Sequence, residues 1–198
     1  GESGDWSRAS SPEPGSAEAR IAEARRLLAE DEPAEAQRLL NGFIDEYERT
    51  EQPYLPEAFL LRGDARVARG NEYSALFDYE RVISQFPATG AYSEAVAREL
   101  EIATRYVRGM KRKILGLRIA DATSIGEELL IRVQERLPGS TVAARAGIEL
   151  ADYYFRIRDL ESAATMYELF LENHPNSEYR SHALKGRIAA VVGQFKGP

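Results

Sequence analysis

Two histidines, His174 and His182, are the only imidazoles in this 198-residue chain, eight positions apart across a proline. With carboxylates such as Glu172 and Glu178 nearby, they offer nitrogen and oxygen donors of the kind a zinc ion takes. Two imidazoles are too few for a dedicated site, and a pair of solvent-facing histidines at a helix junction is the plainer reading. Adjacent acids recur, as at Asp45-Glu46 and Glu127-Glu128. Paired carboxylates are the minimum for acid–base hydrolysis, but on amphipathic helices such pairs usually form a solvated face. The chain contains no phosphate-binding loop, no GxGxxG, no HExxH and no GxSxG. It has no cysteine, which removes disulfides, thiolate metal sites and cysteine nucleophiles. The expectation is a non-enzyme that uses neither metal nor cofactor.

The densest chemistry is basic. Arg105, Arg108, Lys111, Arg112, Lys113 and Arg118 fall in or just before a segment near residues 109–124, and no acid occurs from Ile102 to Ala120. The net charge of the whole chain is −6, so the rest carries about −12 against a local +6. Three roles fit: a contact for an acidic partner, a patch for an anionic membrane surface, or a solvated loop balancing nearby acids. Nucleic acid is not expected, because a chain of pI near 5.2 has the wrong overall field. Within the segment Leu115, Leu117 and Ile119 alternate with Gly116 and Arg118, which reads as extended backbone.

The elements that position these groups read as helices. At 43% hydrophobic and 29% charged, the chain can bury a core. No apolar run approaches the roughly 20 residues a membrane helix needs. Residues 1–15, rich in Ser, Gly and Pro and holding Trp6, read as a tether. Ser16 can cap a helix bearing Ile21, Ala24, Leu27 and Leu28 on one stripe, and Pro33 suits the first turn of the next.

From there the chain repeats itself. Ala75, Tyr79, Val82 and Pro87 stand at offsets of four, seven and twelve, and Ala163, Tyr167, Phe170 and Pro175 reproduce both offsets and types. Gly126, Leu130, Val133 and Pro138 substitute glycine for alanine; Ala36, Leu40 and Phe43 lack the proline, where Glu48 stands. Three junctions (Pro87-Ala-Thr89, Pro138-Gly-Ser140, Pro175-Asn-Ser177) place a hydroxyl residue to cap the following helix and an alanine (Ala95, Ala146, Ala183) six places on. Pro87 and Pro138 are 51 residues apart, about 17 more than a 34-residue repeat requires, which locates an insertion near 109–124.

Small residues where helices would cross, large ones where they would interdigitate and a closing proline resemble the tetratricopeptide repeat (TPR). The Pro-x-Ser/Thr junctions and the closing HPNSEY resemble the BamD outer-membrane assembly lipoproteins and related Tol-Pal-associated periplasmic TPR proteins. The resemblance implies an all-α, right-handed α-α superhelix over 16–198, with about four helix pairs plus a C-terminal capping helix. It also implies a non-catalytic scaffold for a protein or extended peptide, such as a β-barrel assembly subunit. By the same resemblance the location is periplasmic, with an outer-membrane anchor through a lipidated cysteine upstream of Gly1. Groove positions carried over from the family are Ile21, Arg25 and Leu28; Leu60, Asp64 and Val67; and Ile148, Asp152, Phe155 and Arg156. Leu60, Val67 and Phe155 would be buried by the partner while Arg25, Asp64 and Arg156 orient it; alternatively, Phe155 packs under the insertion or a neighbouring helix.

Overall fold

The computed structural model describes residues 13–195; most of the expected tether, Trp6 included, lies outside them. The described residues form nine α-helices and one small hairpin. In chain order these are α1 (Ala17–Ala29), α2 (Pro33–Tyr47), α3 (Leu55–Ala68), α4 (Glu72–Gln85), α5 (Gly90–Val107), β1 (Arg112–Ile114), β2 (Leu117–Ala120), α6 (Thr123–Arg136), α7 (Thr141–Arg156), α8 (Leu160–Asn173) and α9 (Arg180–Phe195). Each helix packs on its chain neighbours, and the odd-numbered ones also touch one another in series (α1 on α3, α3 on α5, α5 on α7, α7 on α9). That connectivity is an all-α, TPR-like solenoid of four helix pairs with α9 closing the end.

Local chemistry sets the helix ends. Ser16 accepts from the Ala19 amide at 3.2 Å and Ser140 from Ala143 at 3.0 Å, each satisfying an amide that the first turn leaves free. Pro33 opens α2, where its missing N–H costs nothing. The three proline junctions share one geometry. Phe86, Leu137 and His174 follow α4, α6 and α8 with φ of −128°, −130° and −132°, and the proline comes next. The residue before a proline is excluded from helical conformation by the ring, so these three ends are dictated locally. Glu48, standing where a proline would be, stays helical at φ −55° and the chain runs on through turns to Pro53. Two expected caps differ. The Thr89 hydroxyl turns back to donate to the Phe86 carbonyl at 2.8 Å, and Ser177 accepts from the Tyr179 amide at 3.2 Å ahead of α9. At both places the hydroxyl serves the junction turn rather than the next helix.

The twelve repeating small and large positions (from Ala36, Leu40 and Phe43 through Ala163, Tyr167 and Phe170) are all buried. They feed a main cluster running from α1 to α7, a second one spanning α7 to α9 and, through Ala36, a small one joining α1, α2 and α3. Helix α7 serves both, with Leu150 and Tyr153 facing one way and Ile148 and Ala151 the other. Gly126 is not an indifferent stand-in for alanine. A Cβ there would lie 2.8 Å from the Ala103 carbonyl oxygen and 2.8 Å from the Tyr106 Cβ, so α6 crosses α5 closer than any side chain permits. Arg136 on α6 reaches both Glu99 on α5 and Glu80 on α4, tying three helices together. The end helix α9 buries Ala183 and Ala190 against α8, but its outer side shows Ile188, Val191, Val192 and Phe195 to solvent, where a cap is usually polar.

The insertion folds as an antiparallel hairpin, β1 with β2, turned by Leu115 and Gly116, which both have positive φ (49° and 83°). Cross-strand partners share a face. Lys113 pairs with Arg118 on one face and Ile114 with Leu117 on the other, while an irregularity beside Arg112 takes up Ile119. The face carrying Lys113 and Arg118 is applied to the turn between α3 and α4. Lys113 Nζ donates to the Arg69 carbonyl at 3.1 Å, Arg118 pairs with the buried Glu72 at 2.6 Å, and the Arg112 guanidinium lies 4.2 Å from the Tyr73 ring centroid.

Two outcomes test this packing. Gly126→Ala should cost about 1–3 kcal/mol in chemical denaturation, as overpacking does. Gly42→Ala, where nothing lies within 4 Å, should instead stabilise α2 by about 0.5–1 kcal/mol. The second concerns pH. Burial pushes the Glu99 carboxyl up to about 7, against the pull of Arg136. A raised acid contributes most stability below its unfolded pKa, near 4.5, and loses it as the pH rises through 7. The unfolding free energy of the wild type should therefore fall between pH 5 and pH 8 relative to Glu99→Gln. His174, whose imidazole burial pulls below its usual range, acts in the opposite sense and is common to both proteins, so the difference between them isolates Glu99.

Candidate partner-binding groove

The odd-numbered helices line one side of the stack, and two adjoining recesses run along α1, α3 and α5. One, about 460 Å³, lies among Arg25, Pro56, Glu57, Leu61, Asp64 and Arg98. The other, about 490 Å³, lies among Asp64, Val67, Tyr79, Arg98, Glu101 and Arg105. Asp64 and Arg98 belong to both, so their ion pair is the wall between two compartments of one groove.

That wall is built from the repeat upward. Gly63 has no side chain because the Tyr79 ring occupies its place; a Cβ there would sit 2.3 Å from Tyr79 Cε1. The ring so placed sends its hydroxyl to Asp64 Oδ1 at 2.8 Å. Burial, reinforced by that carboxylate, raises the Tyr79 phenol well above its ordinary range, so it remains a donor at all physiological pH. Asp64 in turn receives Arg98 in two-point fashion, Nε at 2.9 Å and Nη2 at 3.3 Å, the arrangement that gives arginine–carboxylate pairs their directionality. The fourth repeat rebuilds the same unit. Tyr167 donates to Asp152 at 2.5 Å, the same carboxylate meets His182 Nε2 at 2.7 Å, and the space for the ring comes from Gly186 on α9.

The family-derived positions divide. Arg25 is exposed and donates to Glu57 on α3 at 2.6 Å, and Asp64 and Val67 line the second recess. Leu60, only 5% exposed, belongs to the main cluster and also lines the floor of the first recess. Ile21 and Ile148 do not face a partner: neither is more than 4% exposed, and both belong to the packed clusters, since an inner helix spends its apolar stripe on its neighbours. Leu28 packs half-buried beside Leu27, Ala36 and Ala65. Phe155 is no free anchor; it packs half-buried in the second cluster with its ring edge-on to Tyr167, centroids 6.5 Å apart. Arg156 is spent on the Val107 carbonyl at 2.7 Å, and Asp152 on Tyr167 and His182.

The basic segment is not one patch. Arg105 points into the groove, Arg108 crosses to Glu149 on α7 at 2.5 Å, and Arg112, Lys113 and Arg118 bind the hairpin down. Charges adjacent in sequence are separated because the helix end and the hairpin leave in different directions. The groove residues contributed by α5 (Arg98, Glu101, Arg105) escaped the repeat reading. The frame could have found Glu101: it follows Ala95 by six places, as Asp152 follows Ala146 and Asp64 follows Ala58.

Among the described residues, the two carboxylates whose pKa burial raises, Asp78 and Glu99, sit in interhelical ion clusters with Arg62, Arg66 and Arg136. Among the described residues no three His, Asp or Glu side chains are grouped to hold a metal ion.

The tetratricopeptide repeat family profile matches residues 57–89 and 146–177. These stretches are α3–α4 and α7–α8 with the prolines that follow them, so the chain carries TPR repeats. Among solved structures, that of a MamA RS-1 ArsTM double mutant is similar, with a TM-score of 0.51 over 90% of each chain at 19% identity. At that identity the likeness speaks to the fold. No curated protein sequence matches the chain.

Removing the hydroxyl that aims Asp64 tests the wall directly. Tyr79→Phe should cost about 1 kcal/mol in urea denaturation, and Gly63→Ala more, about 1–3 kcal/mol, because it must displace the ring.

Proposed function

We propose that this protein is a non-catalytic scaffold that holds an extended peptide or partner segment along the groove of α1, α3 and α5. The observation that carries the reading is the pair of recesses divided by Asp64 and Arg98. Their walls alternate apolar surface (Leu61, Val67) with oriented charge (Arg25, Glu57, Glu101, Arg105). Such a surface discriminates partners by charge register while burying aliphatic side chains. Its parts are held by ion pairs and the Tyr79 hydroxyl before a partner arrives, which lowers the ordering cost of binding.

The finer reading rests on the junction residues that resemble BamD: a periplasmic, outer-membrane-anchored subunit serving β-barrel assembly. A signal peptide ending in a lipidated cysteine upstream of Gly1, with the protein fractionating with outer membranes, would support it. Recovery from the cytoplasm would discard it and leave the scaffold reading intact.

Crosslinked capture from membrane extract, comparing wild type with Val67→Asp and Arg98→Glu, tests the groove. Both variants should keep their helical circular dichroism and lose about tenfold or more of the recovered partner, as truncation of interface anchors does. Equal recovery by wild type and both variants would remove the groove as the binding surface.

A further inference from the structure

The hairpin is built the wrong way round for a solvated excursion. Its charged face, Lys113 with Arg118, is turned onto the α3–α4 turn, and its aliphatic face is turned out. Ile114, Leu115, Leu117 and Ile119 are 41%, 98%, 64% and 60% exposed. Soluble proteins seldom keep such a contiguous cluster wet unless something covers it. Leu115 makes the point sharply. It occupies a left-handed turn position where asparagine or glycine is much cheaper, so the turn carries a large aliphatic side chain at a conformational cost.

We propose that the β1–β2 hairpin is a shallow insertion tip for an anionic lipid surface. Shape favours lipid over a protein partner. The tip is convex, its most exposed side chain stands at its apex, and a fluid interface accepts such a protrusion without a complementary pocket. Charge agrees. Lys111 lies exposed beside the aliphatics and forms no ion pair among the described residues, whereas Arg112, Lys113 and Arg118 are turned to the body. At headgroup depth Lys111 adds attraction to anionic lipid, while the negative charge of the rest of the chain turns the body away. The hairpin is held by Arg118–Glu72, by the Arg112–Tyr73 stack and by Lys113 on the Arg69 carbonyl, so the tip is presented in one orientation. Among the described residues no helix is long and apolar enough to cross a membrane, so the contact is interfacial. None of the groove residues enters this inference, and either reading can fail without the other.

The experiment is co-sedimentation of the full chain with vesicles of phosphatidylglycerol and phosphatidylethanolamine, and with vesicles of phosphatidylcholine alone. Wild type should partition onto the anionic vesicles, with about tenfold weaker partitioning for Leu115→Asp combined with Leu117→Asp. Lys111→Glu should lose severalfold on anionic vesicles only. All these positions are exposed, so circular dichroism should be unchanged in every variant. A Leu115→Trp variant should shift its emission to the blue on anionic vesicles. The proposal is overturned by wild type that stays in the supernatant, or by partitioning that survives the double aspartate. It is equally overturned by a concentration-dependent dimer that the double aspartate abolishes in the absence of vesicle binding, which would assign the tip to a second copy.

Discussion

Each helix in this protein has one apolar stripe and no partner large enough to hide it, so everything depends on how closely consecutive helices can approach. The approach is set by residues without side-chain bulk. Gly126 lets α6 reach the backbone of α5, and Gly63 and Gly186 make room for the Tyr79 and Tyr167 rings. A packed interior tolerates little change in volume, which makes these positions the determinants of helix spacing. Core and surface are coupled here. The rings that fill the glycine gaps also deliver the hydroxyls that hold Asp64 and Asp152 on the exposed side of the inner helices.

That coupling explains why a surface so rich in charge is ordered. Isolated surface ion pairs contribute little, and their side chains are free to wander. Here Asp64 is oriented by a buried phenol before it meets Arg98, and Arg136 is confined between Glu80 and Glu99 with Glu99 only 1% exposed. Where burial is that deep, the cost of holding a carboxylate charged appears in its titration. Where it is shallow, the pair serves to position groups. The clusters that tie α4 and α6 to their neighbours hold the stack together, and the Asp64–Arg98 pair between α3 and α5 shapes the groove.

The hairpin illustrates the opposite economy. Cations bring it down onto the α3–α4 turn, which leaves its aliphatics facing out. An exposed hairpin more often turns its charges to water and its aliphatics to the protein. The two buried atoms left without a partner beneath or beside it, Tyr106 Oη and Arg112 Nε, show that the seat is not fully complementary. Electrostatics fixes the orientation of the hairpin, and hydrophobic burial within the chain does not.

The helices, their order and three of their ends were legible in the sequence, because each depends on a few neighbours. A proline excludes helix from the residue before it, a serine caps the turn after it, and a stripe at helical spacing declares the buried side. Ala36, Leu40 and Phe43 could be placed in register with Ala163, Tyr167 and Phe170 on spacing alone, and all six are buried. The fate of side chains that meet across long separations was not legible. Nothing in the basic run indicated that Arg105 would enter the groove while Arg108 found Glu149 and Arg118 found Glu72. Nor did family position show that Ile21 and Ile148 would be taken by the core, or Phe155 by Tyr167. Local sequence determines secondary structure and repeat register because backbone sterics and periodicity act over a few residues. Which face stays open, and which charges remain unpaired on it, is decided only when distant helices close on one another, because ion pairing and burial depend on distances that the chain acquires on folding.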